Sequence, residues 1–113
     1  MNKFLISVLS LSIFASCALD AAVYKGQNEF VKKCVKCHKA GQAFVATKKK
    51  KEWNSIMKNK GEKLIEMHLQ SKEADAEPSR EYFESKDFSK TSKHLKDFLL
   101  EYASDSGNVP ACN

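Results

Sequence analysis

The stretch Cys34-Val35-Lys36-Cys37-His38 decides how the rest of this chain is read. It has the form Cys-x-x-Cys-His, the pattern of covalent c-type haem attachment. Thiols three positions apart on one helical turn can both add to the two vinyl groups on one edge of a haem. The histidine that follows then lies under the ring, where an imidazole nitrogen reaches the iron. Two other chemistries share part of the pattern. A thiol redox pair wants a βαβ context, and the chain has no strand pattern of any length. A zinc finger wants a second ligand pair at proper spacing, and none is present. The reading is therefore one haem c, held covalently by Cys34 and Cys37, with His38 as axial iron ligand.

Working outward, the chain has 113 residues, enough for a single domain. Residues 1–18 read as a secretory signal peptide. Lys3 supplies the positive start, Phe4 to Phe14 an apolar run too short to span a bilayer, and Ser16-Cys17-Ala18 small residues for cleavage. That assigns residues 19–113 to the functional domain and places it in the bacterial periplasm. Phe14-Ala15-Ser16-Cys17 also resembles a bacterial lipobox, which would instead anchor the protein to a membrane through a lipidated Cys17. A core built from so short a chain is marginal; a covalently held haem adds the missing apolar bulk. Once Cys34, Cys37 and Cys17 are assigned, Cys112 is left as an odd cysteine in an oxidising compartment.

There are 19 Lys+Arg against 14 Asp+Glu, and removing Lys3 with the signal leaves 18 against 14, a net charge of +4. Lys48-Lys49-Lys50-Lys51 concentrates the excess. Such a run is commonly a solvated surface; in a protein that meets redox partner proteins with an acidic docking surface it can also steer docking. Nucleic acid is excluded as a partner by export and by the lack of aromatics interleaved with the basic run.

Helical spacing governs what remains. Asp20 caps a first helix over 20–36, with Gly26, Phe30, Val31 and Cys34 in helical register. Residues 39–47 read as a loop, 49–60 as a helix with Trp53, Ile56 and Met57 on its apolar stripe, and 62–70 as a second segment ending the run begun after Gly61. Trp53 is core or haem wall, with its indole N–H a candidate donor to a haem propionate. Residues 71–77 are a polar loop, Pro78 opens a short helix ending near Lys86, and the last helix spans 92–104 with Leu95, Phe98, Leu99 and Tyr102 in one stripe.

Gly26, Phe30 and the Cys34–His38 motif, together with the aromatic stripe of the last helix, resemble a small class I cytochrome c. The resemblance covers the motif and both terminal helices, and covers residues 40–90 poorly. It implies an all-α domain wrapped around one haem, with the N- and C-terminal helices crossing, Phe98 or Tyr102 packing near Gly26 and Phe30, and a role as an electron carrier rather than an enzyme. The chain departs from the family after Phe88, where no methionine follows to serve as the second axial ligand. Four donors compete for that position. His68 is centred on the apolar face formed with Leu64 and Ile65 and ranks first, followed by Met67, Met57 and His94. An open sixth position would instead suit a haem enzyme or a gas or redox sensor, and a haem subunit of a larger redox complex is the third alternative.

Overall fold

The first helix opens in a stretch rich in alanine, the best helix former. The structure, a computed structural model, describes residues 14–110, with side chains from Ala21 onward. Residues 1–13 of the expected signal segment, the side chain of Cys17 and Cys112 lie outside the described residues, and residues 14–18 of that segment are the first residues of the first helix. Helix α1 (Phe14–Lys33) is followed by a 3₁₀ helix (Gly41–Thr47), α2 (Lys50–Leu69), a second 3₁₀ helix (Ala74–Ser79), α3 (Arg80–Glu84) and α4 (Lys86–Glu101). The fold is all-α. Among the described residues no helix is long and apolar enough to cross a membrane.

Helices α1 and α4 pack across one another, and Gly26 sets how closely. A Cβ built on Gly26 would overlap the backbone carbonyl of His94 and lie 2.7 Å from the Cβ of Phe98. One helical turn on, Phe30 meets Phe98 with ring centres 5.4 Å apart. Of the two aromatics expected there, Phe98 makes the contact. Its side chain, with Phe88, Leu95 and Leu99, forms the buried stripe of α4. Each such residue contributes about 1.5–3 kcal/mol by leaving water.

The last helix begins earlier than its expected start at 92. Ser85 caps it, its hydroxyl accepting the Phe88 N–H at 3.2 Å, and Phe88 is already on the buried stripe. Only Ser85 separates α3 from α4. The connection has no room for a loop. His94 is consequently not in the first turn of the helix but in its middle, facing α1, with a buried Nδ1 that has no hydrogen-bond partner.

Helix α2 is two helices joined by a break. Lys58 is extended, and Asn59, Lys60 and Gly61 follow with φ of 54°, 59° and 76°. Left-handed backbone disfavours residues with a Cβ by about 1–2 kcal/mol each, so the break is held from outside. Gly61 sits against the Phe88 ring, 3.0 Å from where its own Cβ would stand, and Asn59 donates a side-chain hydrogen bond to Glu62 at 3.2 Å. The two halves match the helices expected on either side of Gly61. The lysine run opens the first half. Ser104 donates its N–H to the Lys48 carbonyl at 2.9 Å and Asp105 accepts the Lys50 N–H at 2.9 Å, a carboxylate placed favourably at a helix N-terminus.

Candidate functional site

Helix α1 ends at the motif. The Cys34 N–H bonds to Phe30 O at 2.8 Å and the His38 N–H to Cys34 O at 2.8 Å. Cys34 to His38 therefore form turns that carry on the helical path beyond Lys33, where the sequence suggested regular helix to residue 36. The turns aim both cysteines and His38 into one cleft of about 350 Å³. Its walls come from every part of the fold: Phe30 of α1, Phe44 of the first 3₁₀ helix, Trp53, Leu64, Met67 and His68 of α2, Phe83 of α3, and Leu95 and Leu99 of α4. A polar rim of Ser71, Glu73, Asp75 and Ser79 runs along the second 3₁₀ helix, the segment expected to be a loop.

The thiols are free. Cys37 is exposed and its Sγ lies 3.7 Å from the Asp75 carbonyl oxygen. Burial, then the Glu29 carboxylate and Cys37, push the Cys34 thiol up to about 12.

Two imidazoles meet across the cleft. The ring centres of His38 and His68 are 6.2 Å apart and their planes cross at 77°. With a metal–imidazole bond of about 2 Å, two imidazoles on opposite sides of one metal ion have ring centres roughly 6 Å apart. The observed spacing suits a shared ion between them. Burial, then the neighbouring His68, hold the His38 pKa below the ordinary value, favouring the neutral ring. His68 donates its Nδ1–H to Leu64 O at 2.7 Å, which leaves Nε2 as the nitrogen open to a ligand.

The other candidate ligands are placed differently. Met67 lines the cleft beside His68 and is half exposed. Met57 is buried against Gly61 and does not line the cleft. His94 faces α1 and does not line it either. Trp53 is a wall residue: its indole N–H donates to Val45 O at 2.9 Å and is unavailable to a propionate. None of Lys48 to Lys51 lines the cleft; Lys48 lies 6.0 Å from the Trp53 ring centre on the outer side. Among the described residues no group of three or more His, Cys, Asp or Glu side chains converges as a metal cluster.

Sequence reading missed two features. Phe44 and Phe83 stack on the two imidazoles; Phe44 fell in an expected loop, and nothing in the spacing pairs either ring with a histidine. Tyr82 was also overlooked. Its hydroxyl donates to Glu29 at 2.7 Å and the Lys33 ammonium lies 5.3 Å from its ring centre. Burial first, then the hydrogen bond to Glu29 and its charge, raise the Tyr82 phenol well above the ordinary tyrosine range. An unfolded tyrosine ionises near pH 10. A raised folded pKa stabilises the fold below that value and the contribution is lost as pH rises. Thermal stability should therefore fall above about pH 10, and fall less steeply in Tyr82→Phe, which also loses about 1 kcal/mol at neutral pH. Equal alkaline slopes in melting curves of the two proteins would remove Tyr82 from this role.

Comparison with protein-family models, with curated proteins and with solved structures finds no match. The functional reading rests on the all-α fold and on this cleft.

Proposed function

We propose that this protein is a one-electron carrier with a single c-type haem, attached through thioethers from Cys34 and Cys37 and ligated by His38 and His68. The observation that carries the reading is the pair of imidazoles, 6.2 Å apart across an apolar cleft, one of them the histidine of a Cys-x-x-Cys-His motif. The bound haem supplies the redox centre. His38 and His68 would hold the iron, and the apolar cleft residues Leu64, Phe83, Leu95 and Leu99 would limit water around it. Ligation by two histidines lacks the methionine that raises potential, so the midpoint is comparatively low for a c-type haem. Export to the periplasm follows from the N-terminal signal, and the exposed lysines before and within the first turn of α2 guide docking on acidic redox partners.

The test is expression with a haem-attachment system. Haem stain that stays with the chain on a denaturing gel, and a low-spin spectrum unaffected by carbon monoxide or cyanide, are expected. Loss of stain overturns attachment. A high-spin spectrum that responds promptly to either ligand overturns the carrier and favours a haem enzyme or sensor.

A further inference from the structure

Both imidazoles are backed by a phenylalanine. Phe44 stacks on His38 with ring centres 4.2 Å apart and planes 24° apart. Phe83 stacks on His68 at 4.2 Å and 32°. Each phenylalanine is held in turn. Phe83 is buried and meets the rings of Tyr82 and Phe88, each at 5.1 Å. Phe44 stands edge-on to Trp53 at 6.2 Å and 69°, and Trp53 is pinned by its bond to Val45. An imidazole free to turn about its Cβ–Cγ bond has no fixed plane; these two do.

We propose that Phe44 and Phe83 are positioning residues that hold the axial imidazoles of His38 and His68 crossed, with planes close to perpendicular. The inference rests on ligation by both histidines and specifies its geometry. Outer contacts that orient a ligating ring tune the metal it binds. Crossed imidazoles leave two iron d orbitals nearly equal in energy; parallel imidazoles split them. The difference is visible in the electron paramagnetic resonance of the oxidised, low-spin haem, as one strongly anisotropic low-field feature against a three-line rhombic spectrum.

The two sides are not equivalent. His68 has a second restraint, its Nδ1–H bond to Leu64, whereas the His38 ring has no hydrogen bond to a protein group among the described residues. Phe44 therefore matters more than Phe83. The experiment is resonance on the frozen, oxidised, haem-loaded protein and on Phe44→Leu and Phe83→Leu. The wild type should give the single low-field feature, Phe44→Leu should move intensity into a rhombic signal while staying low-spin, and Phe83→Leu should do so less. A rhombic wild-type spectrum without the near-infrared band of iron–methionine ligation overturns the crossed geometry and leaves ligation by two histidines standing. A wild-type signal kept by both variants overturns the role of the phenylalanines. A high-spin wild type, or one with the methionine band, overturns the ligation itself and the inference with it.

Discussion

His68→Ala turns the oxidised, haem-loaded protein from low-spin to high-spin, and once reduced its spectrum changes promptly with carbon monoxide. The covalent haem stays, because Cys34, Cys37 and His38 are untouched. The expectation follows from what surrounds His68. Its free Nε2 belongs to a ring fixed by Leu64 and Phe83, and the small residue left behind offers no donor. Met67 is the nearest substitute, since it lines the same cleft. It is the next residue along a helix, about 100° around the axis from His68 at 3.6 residues per turn, so it reaches the iron only if the second half of α2 turns. Met57 is packed under Gly61 and His94 faces α1; each would need its helix to move. Absorption from the visible to the near-infrared decides. A variant that stays low-spin with an iron–methionine band assigns Met67 or Met57, and one that stays low-spin without it assigns His94.

The second large effect is on stability. Gly26→Ala should destabilise the domain by about 3 kcal/mol, at the upper end of what overpacking costs, and Gly26→Leu by more. Two terms oppose each other. Alanine in place of glycine inside a helix favours folding by about 1 kcal/mol. Against it, the new Cβ overlaps the carbonyl of His94, which is backbone and cannot rotate away, and crowds Phe98. Helices α1 and α4 must separate, opening the Phe30–Phe98 contact. For a domain of this size a loss of about 3 kcal/mol lowers the melting temperature by on the order of 15 °C. Thermal unfolding followed by circular dichroism measures it. A melting temperature unchanged or raised in Gly26→Ala would mean that the helix propensity wins and that the close approach is not a packed contact.

The features legible in advance were local. Gly26, Phe30 and the stripe Leu95, Phe98, Leu99 repeat at helical spacing, which made the chain helical, while the crossing of the two terminal helices was what the family resemblance implied. The start of α4 was legible as well, since Phe88 is in register with Leu95 and Ser85 is a good cap. Placing the start of the last helix at 92 gave His94 a first-turn position it does not have. The 3₁₀ segments Gly41–Thr47 and Ala74–Ser79 were expected as loops because short helices of that kind have no strong sequence period.

The amino-acid sequence by itself supplied the Cys-x-x-Cys-His motif on which the proposed haem attachment rests. Cys34, Cys37 and His38 are fixed relative to one another by a few covalent links and one turn of backbone, so their pattern carries its meaning without the fold. Tertiary structure alone decided which donor faces His38. That pairing joins two distant segments, and it depends on the left-handed break at Asn59–Gly61, on Phe88 packed beneath Gly61, and on Phe83 stacked behind His68. Sequence spacing ranks the donors on each helix by face. It does not say which face meets the cleft, because that is set by how α2, α3 and α4 exclude water together.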